Sequence, residues 1–204
     1  MADIDFMTLT NITSPALTKT DPARLERHRD DQPASEGIPP YDLIELLFFA
    51  YRDFTADPDT VLADFDFGRA HHRVLHFVDR NPGIRVTDLL AILRITKQSL
   101  GRVLKQLVDE GFIDQRPGPL DRRQRLLHTT EKGQALAGKL AAMQARRIDA
   151  ALAALSDTGA EVVRRFLFQM IDPDLRPEVG RMLGPAALSR VQDAARQADH
   201  SNET

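Results

Sequence analysis

Lys97, Gln98, Ser99, Arg102, Lys105 and Gln106 fall within one ten-residue span, preceded by Thr96, and Arg122, Arg123 and Arg125 follow soon after. Side chains of these types do two kinds of chemistry on a duplex: amides and guanidiniums pair with base edges, and cations neutralise phosphates. Gln98 suits adenine, Arg102 suits guanine, Ser99 can bond a base or a phosphate, and Lys97 and Lys105 suit phosphates. From Arg94 to Arg125 eight basic residues face four acidic ones, a local +4. Because the 204-residue chain carries a formal −3, the remainder sums to −7. The whole-chain charge argues mildly against a polyanionic partner, whereas its division argues for one.

Other chemistries find less material. His72 and His76 are four apart, the spacing that puts two imidazoles on one helix face toward a metal. No strong third ligand accompanies them, although Asp57, Asp59, Asp64 and Asp66 lie just upstream, so ordinary surface histidines are expected and a metal-responsive site is the weaker alternative. With no cysteine in the chain, thiolate zinc sites, iron-sulfur clusters, catalytic thiols and thiol redox switches are excluded. No phosphate-cradling Gly-rich loop, nucleophile elbow or HExxH is present, and no catalytic carboxylate pair stands out. An enzyme is not expected, and no cofactor is called for.

The elements that must position the basic residues can be read from periodicity. Residues 1–38 are polar, contain Pro15, Pro22 and Pro33, and read as a tail. After Pro39 and Pro40, Tyr41 to Arg52 form a helix apolar on more than one side, followed by an acidic connection from Ala56 to Asp66 that contains Pro58. Phe67 to Arg80 is a second helix, stopped by Asn81-Pro82-Gly83. Thr87 caps a short helix from Asp88 to Leu93, and Thr96 caps a third running to about Glu110. Leu100, Val103, Leu104 and Leu107 make the buried stripe of that helix and leave Lys97, Gln98, Gly101, Arg102, Lys105 and Gln106 outward. Two short strands, Phe112 to Arg116 and Gln124 to Thr129, flank a Pro/Gly-rich turn. A long Ala-rich helix follows from Thr130 to about Leu155, then a helix entered by a Thr158/Glu161 capping box, and one more around Gly184 to Ala198.

The order from 67 to 129 predicts a winged helix-turn-helix: mainly α, with a β-hairpin wing, the third helix lying in the major groove. Around it lie the 39–66 helix and connection, the helices of 130–172 and an extension over 173–204. The run Ile95-Thr96-Lys97-Gln98-Ser99-Leu100-Gly101-Arg102 through Gly111-Phe112-Ile113 resembles the recognition helix of the MarR family of transcriptional regulators. Asp121-Arg122-Arg123, followed six residues later by Thr129-Thr130, resembles that family's wing signature, with Thr129 where Leu is usual.

The resemblance implies that Asp121 holds the wing arginine and that Arg123 enters the minor groove. A carboxylate two residues before an arginine can pin a guanidinium, although Asp121 can equally be a turn residue. The resemblance further implies a homodimer built from the first and last helices, reading a pseudo-palindrome in double-stranded DNA. The apolar Leu43 to Phe54 stretch, short of partners within one small domain, supports this. A small-molecule effector is also implied, with Tyr51, Arg52, Phe54 and His71 as the residues nearby. A winged helix used only for protein contacts is the competing reading. No stretch is long and apolar enough to span a bilayer and no secretory signal opens the chain, so a cytoplasmic protein is expected.

Overall fold

The computed structural model describes residues 39–119, 121–156 and 158–191. The tail read over 1–38 and the last part of the extension lie outside the described residues. By its contacts the chain divides into two units, 1–44 and 45–204. Of the first, the described residues comprise Pro39, Pro40 and the opening turn of the first helix, with the Ile44 N–H bonded to the Pro40 carbonyl at 3.1 Å.

That helix, α1, spans Tyr41–Leu62 and carries Pro58 in its interior, so the acidic connection expected over 56–66 is largely helical. Pro58 denies the helix one hydrogen bond. It is nevertheless fully buried, and with Val61 and Leu62 it presents apolar surface to the core, which outweighs the missing bond. The carboxylates of this stretch tie helices together: Asp57 takes both Nε and Nη2 of Arg147 at 3.0 and 3.1 Å, and Asp59 takes Arg69 at 2.8 Å. A short 3-10 turn, Ala63–Phe65, leads into α2 (Arg69–Arg80).

The helix-turn-helix is formed by α3 (Val86–Leu93) and α4 (Lys97–Asp109). The start of α3 differs from expectation: Arg85, not Thr87, is its N-cap, because Ile84–Arg85 is a short strand, β1, that hands the chain straight into the helix. Two residues are too few for alternation to be visible in sequence. The wing strands are β2 (Ile113–Pro117) and β3 (Arg125–Thr129), so the expected two-stranded hairpin is one half of a three-stranded antiparallel sheet in the order β1-β3-β2. Ile113 pairs with Thr129, Gln115 with Leu127, and Ile84 with Leu127 from the other side.

Gly111 ends α4 with φ 73°. The Phe112 N–H reaches back to the Leu107 carbonyl at 2.8 Å and the Gly111 N–H to that of Val108 at 3.0 Å, the paired bonds of a Schellman stop. The long helix α5 (Glu131–Ala153) begins under the N-cap Thr130, whose hydroxyl accepts the Gly133 N–H and donates to the Gly111 carbonyl. Next comes α6 (Gly159–Gln169). Its expected capping box is absent: Thr158 already has helical torsions and makes no side-chain cap hydrogen bond among the described residues, while Glu161 pairs with Arg164. The extension turns through Pro173–Leu175 into α7 (Arg176–Leu183), a helix earlier than the one read from sequence. Gly184 at φ 83° breaks it, and residues 185–191 are helical again.

The core is a single cluster joining Val61 and Leu62 of α1, Val74, Leu75 and Val78 of α2, Leu89 of α3, the α4 stripe, Phe112, Leu127 and the first turns of α5. The four α4 residues of the stripe are all buried, as their spacing predicts. By contrast α6 buries none of its residues among the described chain.

Candidate nucleic-acid interface

Burying one stripe of α4 fixes which side chains are left for a partner. Lys97, Gln98, Gly101, Arg102 and Lys105 are exposed, Ser99 is half-exposed, and Thr96 sits at the helix start. The Thr96 hydroxyl accepts the Ser99 N–H at 3.1 Å and bonds the Ser99 hydroxyl at 2.9 Å, so both residues serve the cap and keep the helix end rigid. Lys105 is paired with Asp109 one turn on, which lessens its availability to a phosphate. Lys97 and Arg102 have no such partner among the described residues, and their charge is uncompensated.

Gln106 departs from the outward reading. It is half-buried at the contact of α2 and α4, its carbonyl bonded to His71 Nε2 at 2.9 Å and its amide donating to Glu110 at 2.9 Å. The reason is angular. Position 106 borders the stripe, and the imidazole of α2 meets it there. Gln106 is therefore a positioning residue that locks α4 onto α2.

His71 belongs to the same chain of contacts. Its Nδ1 accepts the Gly68 N–H at 3.1 Å, its Nε2–H points to Gln106, and its ring stacks on Phe67 at 4.7 Å with 6° between planes. Among the described residues, none of the other residues read as a pocket is a hydrogen-bond or stacking partner of His71. Tyr51 is 49% exposed, Arg52 pairs with Asp53 at 2.8 Å and lies over the Phe49 ring, and Phe54 is half-buried.

The wing carries Arg122, Arg123 and Arg125, all exposed. Asp121 bonds the backbone N–H of Arg123 at 2.9 Å, not its guanidinium, so it is a turn-forming residue that presents the arginine by fixing the loop. The Arg125 guanidinium is within 3.5 Å of the Arg122 carbonyl. Arg116 on β2 has Asp114 3.8 Å away. The wing cations without a carboxylate partner among the described residues are thus Arg122, Arg123 and Arg125, since a carbonyl leaves the Arg125 charge in place.

Thr129, the departure from the wing pattern, is buried and donates to Asp79 of α2 at 3.1 Å. Sequence reading missed this bond, which anchors the wing to the second helix. Its one signal was a polar residue where an apolar one belongs.

His72 and His76 face no assembled third ligand: among the described residues no group of three His, Asp or Glu side chains converges, and Asp57 and Asp59 are engaged by arginines. Burial lowers the His72 imidazole below its ordinary value, with the neighbouring His76 and Arg73 adding to this and Asp59 opposing it. Desolvation lowers His71 and His76 in the same direction. The unfolded chain then binds protons more readily than the folded one below about pH 6.5, so stability held above that value is lost as pH falls toward the depressed folded values. The melting temperature is expected to fall between pH 7.5 and 5.5, and less so in the H72Q H76Q double variant. An undiminished fall in that variant places the acid sensitivity elsewhere.

A helix-turn-helix with a cationic second helix, a basic hairpin beside it and long helices at both ends defines the winged-helix regulators. The comparisons agree. The sequence profile of the MarR family matches residues 65–124. The HTH-type transcriptional regulator PetP of Rhodobacter capsulatus is 49% identical over 133 residues, covering 65% of this chain and 80% of PetP. In fold, the chain resembles a crystal structure of MarR at TM-score 0.53 and 22% identity, covering 75% of this chain and 99% of that one. It also resembles FabT of Streptococcus pneumoniae, crystallised with DNA, at TM-score 0.58 and 16% identity, covering 65% and 94%. The chain belongs to the MarR family; it is a transcriptional regulator and not an enzyme. No helix among the described residues is long and apolar enough to cross a membrane.

Proposed function

We propose that this regulator binds double-stranded DNA as a homodimer, reading a pseudo-palindromic operator with α4 in the major groove and the wing at the adjacent backbone or minor groove, and that a small ligand modulates it. The observation that carries the DNA reading is the set of cations without a carboxylate partner among the described residues, Lys97 and Arg102 on α4 with Arg122, Arg123 and Arg125 on the wing, exposed on an otherwise acidic chain. In this reading Gln98 and Arg102 contact bases, Ser99 a base or phosphate, Lys97 and Lys105 phosphates, and Thr96 supports the helix end. Arg123 enters the minor groove, and Arg122 and Arg125 contact its phosphates. The MarR and FabT likenesses support the placement at the level of fold.

Support for the dimer comes from apolar surface that one chain leaves uncovered. Leu46 and Phe48 of α1 are each 63% exposed, and Val162, Phe166 and Leu167 of α6 and Met170 at its C-cap are all more than half exposed. Large aliphatic and aromatic side chains on α1 and α6 suit burial against a second copy. Two recognition helices about one DNA turn apart then call for half-sites some 10 base pairs apart.

Two measurements test the proposal. Titration of the gene's upstream DNA at rising salt is expected to show affinity falling steeply, with a log–log slope of several units; a flat response leaves a protein-contact module instead. Sedimentation at micromolar concentration is expected to give a dimer for the native chain and a monomer for F48D, which sets a carboxylate into the apolar face. A native monomer overturns the dimer.

A further inference from the structure

Beyond the residues matched by the MarR profile, α7 returns to the helix-turn-helix and lines a half-open cavity with it. The cavity holds about 510 Å³, within the size range of small-molecule sites. Phe77 of α2, Ile92 of α3, and Val179 and Met182 of α7 supply apolar wall, and all four are half-buried, with surface still open to the space. Arg80 at the end of α2 and Arg94 just after α3 also line it. Neither guanidinium has an ion pair or side-chain hydrogen bond among the described residues, whereas nearby Arg85 is taken up by Asp88 at 2.8 Å. Glu178 is the carboxylate of the lining, so two guanidiniums against one carboxylate leave a single positive charge.

Arg94 adds an independent sign. It has φ 50° and ψ 42°, left-handed torsions at the end of α3 where a glycine or asparagine is the relaxed choice. A long cation held there at the expense of backbone strain, beside an apolar cavity, is what a ligand clamp requires.

We propose that the space between α7 and the α2–α3 pair binds an amphipathic monocarboxylate, its apolar body against Phe77, Ile92, Val179 and Met182 and its carboxylate on Arg80 and Arg94. This names a site and ligand class for the modulation proposed above, and rests on that reading for its regulatory consequence alone. The route is short. Arg94 stands two residues before Thr96, the cap of α4, so a ligand that ties α7 to Arg94 acts on the turn that aims the recognition helix. The chain's own end is a poor substitute occupant, because residues 192–204 offer only alanines as apolar side chains.

The test is calorimetric titration of the full chain with octanoate, with octylammonium as the charge-reversed control. One saturable octanoate site per chain is expected, with no binding of octylammonium. R80A and R94A should each weaken octanoate at least tenfold, and M182W, which fills the cavity, should do the same. R94G separates ligand role from structural role: it relieves the left-handed strain, so its melting temperature should be unchanged or higher while octanoate binding falls. Octanoate binding that is absent, or equal in native, R80A and R94A chains, overturns the proposal. No DNA is present in this titration, so its failure and a failure of DNA binding are read separately.

Discussion

The R102A R123A double variant is expected to lose at least a hundredfold in operator affinity while folding normally. Both side chains are exposed and unpartnered among the described residues, so their removal exposes no buried polar atom and opens no cavity. A guanidinium bidentate to a base edge discriminates by about 1–3 kcal/mol, and in a two-fold dimer each deletion is made twice. For Arg102 alone this amounts to roughly 30-fold to 2 × 10⁴-fold in affinity, falling mainly on the intended sequence and little on random DNA. Arg123 should contribute differently. R123A is expected to weaken binding to all sequences and to flatten the salt dependence by about one unit of slope per site, with a further loss of preference where the minor groove is narrow. Titration of matched and scrambled duplexes at two salt concentrations separates the two. Equal affinity of the native and doubly substituted chains would remove α4 and the wing from the DNA interface.

The second large effect concerns Gly133, in the first turn of α5. A Cβ built there would stand 2.0 Å from the Phe112 carbonyl oxygen and 3.0 Å from its carbon. The same carbonyl accepts the Thr130 N–H at 3.1 Å, so helix start and wing strand are drawn together and neither backbone can yield cheaply. The overpacking in G133A costs about 3 kcal/mol, which for a chain of this size lowers the melting temperature by roughly 6–12 °C. Gly138, one and a half turns further along α5, is exposed with nothing within 4 Å of its Cβ position. G138A should therefore stabilise by about 0.5–1 kcal/mol, the usual gain of alanine over glycine inside a helix. Thermal melts of the two variants should move in opposite directions, and parallel shifts would refute the close approach at Phe112.

Much of this molecule is legible in its residues. The α4 stripe, the Thr96 cap, the Gly111 stop and the two wing strands all follow from local rules whose range is a turn or two of chain, and the structure places them where those rules do. Features set by more distant partners were misread. Pro58 signalled a break, but the core accepts it as apolar surface. β1 is too short to show alternation and exists because β3 offers an edge. Gln106 borders the stripe, and only the imidazole of α2 decides that it turns inward. Asp121 has one carboxylate for two candidate donors, and the conformation of the loop awards it to a backbone N–H.

The charge division tells the same story. By itself the sequence determined that a +4 segment sits on a −7 remainder, that no thiol chemistry is available, and that one helix must present Lys97, Gln98 and Arg102 on its solvent side. Composition and 3.6-residue periodicity are properties of the chain alone, so no partner is needed to read them. Only the tertiary structure decided which of those charges are spent. Asp109 engages Lys105, Asp57 engages Arg147 and Asp59 engages Arg69, while Lys97, Arg102, Arg122, Arg123 and Arg125 have no carboxylate partner among the described residues. Pairing depends on distances of a few ångströms between residues as many as 90 positions apart, and those distances exist only once the helices have packed.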